Sequence, residues 1–247
     1  MSRNPYTQAA GLVLILLLLG ILVYFVRFNS PDVTDPARGG KATVVQRVEQ
    51  YGAAARGRLA GPFRQAGLDY PPKEVLFVGI KDTAKLEVWG RAATDQPFRW
   101  IVTYPILGAS GTLGPKLREG DRQVPEGIYD VESLNPNSRF HLSLRVSYPN
   151  AFDRRMGTAD GRRNLGGDIM IHGGTASIGC LAMGDDVAEE LFILAADTGI
   201  KNCSIILTPV DFRVRDLPAT MPPTPEWTNT LYQTIRQNLA ELPPAPQ

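Results

Sequence analysis

Short runs of hydrophobic residues fill the middle of the chain, and helical spacing of apolar residues precedes and follows them. Apolar positions between Val44 and Leu59 recur every three or four residues and predict a helix over residues 41–59. Runs rich in β-branched and aromatic residues, separated by turn residues, predict strands. These runs cover residues 75–80, 86–89, 98–104, 127–134, 140–147, 168–171 and 203–207.

Two more helices are predicted in the C-terminal part. Residues 185–198 begin with acidic side chains, carry apolar residues on one face and end at Gly199. Thr224 and Pro225 are typical of an N-cap and a first helical position. The apolar stripe of this last helix, which predicts packing against the domain, comprises Trp227, Leu231, Ile235 and Leu239. The whole pattern predicts an α+β domain that is mainly β, with peripheral helices.

The N-terminal residues form an apolar run without a polar face. No charged residue lies between Ala9 and Val26, a length close to the ~20 residues that cross a bilayer. A cleaved signal peptide ends in a small-x-small site, whereas this run ends in bulky residues. We therefore expect an uncleaved transmembrane signal-anchor over residues 1–28, with secretion after cleavage as the alternative. The flanking arginines do not decide the orientation.

Composition limits the remaining possibilities. The chain has 247 residues, 43% of them hydrophobic, which is enough for a core. Its formal net charge of +1 argues against a nucleic-acid partner. The two cysteines and two histidines are not spaced as metal ligands, so no metal or other cofactor is expected. We divide the chain into the anchor, a linker and stalk helix (29–73), a catalytic domain (74–209) and a helical extension (210–247).

The segment from Ile171 to Cys180 combines one of the two histidines with one of the two cysteines. His172 precedes Cys180 by eight residues, with glycines on both sides of the interval. A cysteine attacks a carbonyl as the thiolate, and an imidazole within hydrogen-bond reach can take its proton. Glycines let backbone amides face a developing oxyanion. The sequence therefore predicts a nucleophile, its base and an oxyanion hole in one segment.

Neighbouring residues have predicted supporting roles. The backbone amides of Ile178, Gly179 and Cys180 are candidate oxyanion donors, and the carbonyl of Gly173 is a candidate to orient the imidazole. Ser177 either orients the turn or hydrogen-bonds the substrate, and a simple serine turn explains it equally well.

Alternatives stay open for these side chains. Cys180 is a buried structural thiol, or a disulfide partner of Cys203, if it is not the nucleophile. His141, inside a predicted strand, is an alternative base, although a structural or cleft-lining role is favoured. No predicted helix begins close enough to lower the pKa of Cys180 by its dipole, so we expect His172 to do so.

Several motifs together resemble a known family. An Ile-His-Gly strand end is followed by Ser-x-Gly-Cys at residues 177–180, and Pro-Glu-Gly-x-Tyr occurs at 125–129. These motifs resemble the YkuD-type L,D-transpeptidases, cysteine enzymes of the bacterial cell wall. Residues 134–138 and 147–154 are similar to the YafK-like branch in particular. The resemblance covers about residues 74–209 and implies a mixed β-sheet catalytic domain.

The resemblance implies a reaction and a location. Cys180 would attack the carbonyl that links the third and fourth residues of a peptidoglycan stem peptide, and the thioester would pass to an amine of a second stem. This chemistry serves cell-wall biogenesis, remodelling and cell shape, and needs no cofactor. It places the catalytic domain in the periplasm, with the anchor crossing the inner membrane once and the N-terminus in the cytoplasm.

Two positions depart from the general family pattern. Ile178 and Ala182 stand where many members have histidine and arginine, and the interval from His172 to Cys180 is shorter than is common. Both features are similar to the YafK-like branch, whose members can hydrolyse the lipoprotein–peptidoglycan link. Three functions therefore stay open: a transpeptidase, a hydrolase that releases a stem-linked lipoprotein or peptide, and a non-catalytic peptidoglycan-binding module.

Four arginines lie among glycines between residues 154 and 163. Because stem peptides carry carboxylates, we expect Arg154 to bind one of them in a bidentate pair, on a mobile lid. Tyr148 and Asn150, in the same family-like run, are expected to bind substrate with it. The alternative is a solvated, flexible surface loop.

Overall fold

Eight strands form one mixed β-sheet in residues 40–246, the part of the chain that the computed structural model describes. In chain order they are β1 (Glu74–Ile80), β2 (Lys85–Arg91), β3 (Arg99–Pro105), β4 (Gly127–Ser138), β5 (His141–Val146), β6 (Met170–His172), β7 (Leu181–Ala182) and β8 (Cys203–Thr208). Their order across the sheet is β3-β2-β1-β8-β4-β5-β6-β7. Only β1 with β8 and β6 with β7 pair in parallel in this described part.

The helices surround this sheet. They are α1 (Val44–Ala66), α2 (Ala151–Ala159), α3 (Asp185–Thr198) and α4 (Thr228–Leu239), with a short 3-10 turn at Ile200–Asn202. The mixed sheet and peripheral helices agree with the predicted α+β class. Helix α1 continues beyond the predicted end at residue 59, past Pro62, and buries Phe63. Helix α2 was not predicted.

Strand β1 separates two cores because its side chains alternate between the two faces of the sheet. Val75 and Phe77 belong to a core that includes residues of α1 and α3. Leu76 and Val78 belong to a core on the other face, covered by α4. The central sheet is therefore buried on both sides, which is why β1 reads as a continuous apolar run.

Two predicted boundaries are wrong. The terminal helix begins at Thr228, not behind Thr224, because the backbone first makes i→i+3 bonds such as Thr228 N–H to Pro225 O (3.0 Å). The arginine-rich segment is not a loop throughout, because Asn150 and Asp153 form a capping box that starts α2.

No helix within residues 40–246 is long and apolar enough to cross a membrane. The anchor predicted over residues 1–28 lies outside the described residues and stays a prediction. The predicted domain boundaries stay predictions as well.

Candidate active site

The parallel pairing of β6 with β7 brings the predicted nucleophile and base together at one edge of the sheet. His172 is in register with Ala182, and Cys180 directly precedes β7. Cys180 lies in the bend before β7, two residues before the partner of His172, so the strand pairing brings the two residues close together along the sheet edge. With about 4.8 Å between strands and about 3.3 Å rise per residue, their Cα atoms are about 8 Å apart.

Among residues 40–246, the ring of His172 has one hydrogen bond, and its second nitrogen has no partner. Its Nδ1 lies 2.6 Å from the carbonyl oxygen of Gly173, the contact expected from the sequence. A carbonyl only accepts hydrogen bonds, so Nδ1 carries the proton and Nε2 holds the lone pair. The residue is 2% exposed, and burial lowers the pKa of the imidazole below its ordinary value. His172 is therefore a neutral imidazole with a basic Nε2.

The Cys180 thiol does not have the partner that we expected. Its Sγ donates to the carbonyl oxygen of Asp168 at 3.5 Å, and among the described residues no hydrogen bond joins it to His172. Burial raises the pKa of the thiol, and the Asp168 carboxylate raises it further. The Met170 N–H and the Lys116 ammonium act in the opposite direction. The expectation that His172 lowers this pKa is wrong here, because Sγ faces Asp168.

The alternative of a disulfide with Cys203 is also wrong. Both cysteines are free thiols. Cys203 is buried in β8, where its Sγ lies 3.6 Å from the Gly199 oxygen and desolvation raises its pKa to about 12. The burial of Cys203 in the core accounts for the absence of a bond to Cys180.

Two serine hydroxyls accept hydrogen bonds from two of the backbone amides that were predicted to bind an oxyanion. The Gly179 amide donates to Oγ of Ser110 at 2.7 Å, and the Cys180 amide donates to Oγ of Ser177 at 2.9 Å. The Ser177 hydroxyl in turn donates to the Cys180 carbonyl at 2.6 Å, so this side chain orients the turn. Gly179 has a φ of 89°, a conformation that favours glycine.

Sequence reasoning missed two residues of this site. Ser110 lies 69 residues before Gly179 and carries no local signal for its contact. Phe140 was assigned only to a strand, but its ring stacks on His172 with centroids 4.7 Å apart. His141, the alternative base, has its Nε2 bonded to Glu189 at 2.9 Å and packs edge-on against Tyr51.

The predicted substrate-binding residues lie on and before α2. The hydroxyl of buried Tyr148 donates to Leu165 O at 3.0 Å, and the Asn150 side chain caps α2 by accepting from the Asp153 amide at 2.9 Å. Arg154 is exposed on α2 and donates to Pro149 O. These contacts are structural, and a role of the three residues in substrate binding stays a prediction.

Arg154 borders a cavity of about 510 Å³. Its lining residues, among which neither His172 nor Cys180 occurs, are Arg154, Thr158, Gly161, Arg162, Arg163 and Leu165. Within residues 40–246, no group of three histidine, cysteine or acidic side chains is arranged to hold a metal ion.

Comparison with curated proteins gives a clear relative over part of the chain. No protein-family model matches the chain. Over 99 residues it is 39% identical to a protein of Escherichia coli (strain K12) named "Putative L,D-transpeptidase YafK". The match covers 39% of this chain and 38% of that protein, so it spans well under half of the curated relative. It confirms the resemblance to the L,D-transpeptidases.

Solved structures show weaker likeness. The helical cell shape determining protein Pgp2 from Campylobacter jejuni is 21% identical, with 60% of this chain and 50% of that chain covered and a TM-score of 0.43. L,D-transpeptidase 1 of Mycobacterium tuberculosis is 16% identical, with coverages of 55% and 62% and a TM-score of 0.32. Scores this low carry nothing about function.

Proposed function

Because the chain contains a domain similar to the L,D-transpeptidases, we propose that it is a periplasmic, cysteine-dependent L,D-transpeptidase acting on peptidoglycan stem peptides. The observation that supports it most is the pairing of β6 with β7, which brings His172 and the Cys180 segment close together. The lone pair on Nε2 of His172 gives this pair a base, and the thiol gives it a nucleophile.

The first half-reaction forms a thioester. Because the pKa of Cys180 is raised, the thiol is protonated at neutral pH and needs a base during attack. Rotation about the Cα–Cβ bond takes Sγ from Asp168 O towards His172, whose Nε2 accepts the proton while sulfur bonds to the stem carbonyl. The imidazolium then protonates the leaving amine as the carbon–nitrogen bond breaks.

The oxyanion of this step needs backbone donors. The amides of Gly179 and Cys180 are aimed at Ser110 and Ser177 at hydrogen-bond distance. A carbonyl oxygen of the substrate takes over the Gly179 amide when the Ser110 hydroxyl turns away, and the neighbouring Ile178 amide is the other candidate, so that Ser177 keeps its bond to the Cys180 amide. Donors fixed before the reaction stabilise the developing charge without reorganisation of solvent.

In the second half-reaction, the amine of another stem attacks the thioester, forms the new peptide bond and releases the Cys180 thiol. Water in place of the amine gives hydrolysis, with a stem-linked lipoprotein or peptide as the released group. This second candidate is supported by the 75% exposure of Ile178, which gives solvent access to the turn before the nucleophile. The third candidate is a peptidoglycan-binding module. The raised pKa of Cys180 supports it, because a protonated thiol is a weak nucleophile.

Arg154 is proposed to bind a stem carboxylate. Its guanidinium is exposed beside the cavity, and among the described residues neither Arg154 nor Arg163 forms an ion pair. Two guanidinium groups without acidic partners favour an anionic ligand. The proposed membrane anchor over residues 1–28 would keep this domain close to the inner membrane.

The functions are separated by incubating the full-length protein, in detergent, with tetrapeptide muropeptides and weighing the products. Loss of D-alanine with formation of dimers identifies a transpeptidase. Release of a stem-linked peptide identifies a hydrolase, and unchanged material supports a binding module. Cys180→Ala and Cys203→Ala form a matched pair, because only the first removes the proposed nucleophile.

A further inference from the structure

The ring of Phe140 covers one face of the His172 imidazole. The ring centroids are 4.7 Å apart and the planes differ by 26°. Phe140 lies in the turn between β4 and β5 and is 40% exposed, whereas His172 is 2% exposed. On this face, the phenyl ring therefore stands between the imidazole and solvent.

The turn that carries Phe140 is held by α1 and α3. His141 bonds Glu189 of α3 at 2.9 Å and packs against Tyr51 of α1, with centroids 5.0 Å apart. The side chain of Asn137 bonds both the amide and the carbonyl of Ala42, at 2.8 and 2.7 Å. Contacts from two helices fix the position of the ring that the turn presents to His172.

Two contacts of different kinds restrict the imidazole. The bond from Nδ1 to the Gly173 oxygen determines which ring atom points towards Gly173. The stacked phenyl ring keeps the plane of the imidazole from tilting. A Cβ built on Gly173 would lie 2.7 Å from the Phe140 oxygen, so the strand end and the turn are closely packed. Together these contacts leave one orientation, in which Nε2 is the free nitrogen.

We propose that Phe140 is a positioning residue for the base, because its ring orients the His172 imidazole and excludes water from one face of it. This inference rests on the proposed function only in treating His172 as the base. Phe140 itself does no chemistry, and acts through the residue that it covers.

Burial has the largest effect on the pKa of His172, so we predict the direction in which this pKa changes when the phenyl ring is removed. Desolvation is the main cause of the lowered pKa of His172, and the Gly173 carbonyl opposes it. The titratable side chains packed around the neighbouring Gly173 are Asp185 of α3 and His141 of β5. Since neither of these is changed by removing the phenyl ring, exposure of the imidazole should raise its pKa.

The test uses the fact that the chain contains only two histidines. Their ring signals are titrated by NMR in full-length wild type, Phe140→Ala and Phe140→Trp, with Val45→Ala as the control for loss of another exposed apolar side chain. We expect Phe140→Ala to raise the pKa of His172 by about half a unit or more. Phe140→Trp and Val45→Ala should leave it near wild type. An unchanged or lowered pKa in Phe140→Ala overturns the inference.

Kinetics supply the second readout. Phe140→Ala should lower kcat about tenfold or more with little change in KM, since a misoriented base slows the chemical step. Its rate profile should move to higher pH together with the NMR value, and Phe140→Trp should restore both. A raised KM with unchanged kcat would mean that the ring contacts substrate, which overturns the positioning role. An inactive wild type overturns the proposed function, and the NMR titration then decides on Phe140 alone.

Discussion

Replacing Ser177 with alanine removes the hydroxyl that fixes the peptide of the proposed nucleophile. Its Oγ accepts from the Cys180 amide at 2.9 Å and donates to the Cys180 carbonyl at 2.6 Å. At about 1 kcal/mol for each bond, the variant loses about 2 kcal/mol of preference for this turn. If the transition state needs the turn intact, kcat falls about thirtyfold.

Steady-state kinetics on one defined tetrapeptide substrate measure this effect. Ser177→Thr keeps the hydroxyl and is the matched control, so it should retain most of the activity. Because the residue is only half-buried and water replaces part of the lost bonding, urea unfolding should show a loss of less than about 2 kcal/mol. A Ser177→Ala protein with kcat within twofold of wild type would refute the argument that this hydroxyl organises the nucleophile.

Three further outcomes are expected. Arg154→Ala should lower kcat/KM about tenfold to hundredfold by removing a charge-assisted bond to substrate. The control Arg155→Ala, which changes an exposed neighbour, should keep the wild-type kcat/KM. Equal kcat/KM values for the two variants would contradict the carboxylate site. Since burial lowers the pKa of His172, kcat/KM should rise with pH, with the midpoint of the rise below pH 6.5, and should level off at neutral pH. A midpoint above pH 6.5 would contradict this expectation. Glu126→Gln leaves the Lys81 ammonium, 2.8 Å away, without its buried carboxylate, so urea unfolding should show a loss of about 3–5 kcal/mol. Adding Lys81→Met to Glu126→Gln should recover part of the lost free energy of unfolding. A loss under about 1 kcal/mol in Glu126→Gln alone would contradict this reasoning.

Helix α3 and all strands except β7 could be predicted because their signals are local, whereas the two-residue β7 has no such signal. Residues 185–198 form the predicted helix with the predicted bounds, since acidic residues start it and Gly199 ends it. The apolar runs formed strands because the sheet is covered on both faces. Helix α2 was missed although Asn150 and Asp153 form its capping box, because Gly157 and the arginines were taken as features of a loop. Gly157 instead packs against Leu165 within the fold.

The candidate site could be predicted only where it is local. The predicted segment brings His172 and Cys180 close together through the β6–β7 pairing, and the adjacent Gly173 carbonyl bonds the ring as expected. The remaining groups come from distant parts of the chain. Ser110 and Phe140 reach the site through turns that other elements hold in place, and one sequence carries no signal for such contacts.

The central claim is that Cys180 forms a covalent acyl intermediate. The most direct measurement mixes full-length protein with a stem tetrapeptide, stops the reaction in acid and determines the intact mass. We predict a mass increase equal to the acyl group of the first three stem residues, located at Cys180 by peptide mapping, together with release of the fourth residue. The adduct should persist in Cys203→Ala and be absent from Cys180→Ala. Turnover by Cys180→Ala, or an adduct on Cys203, would contradict the claim.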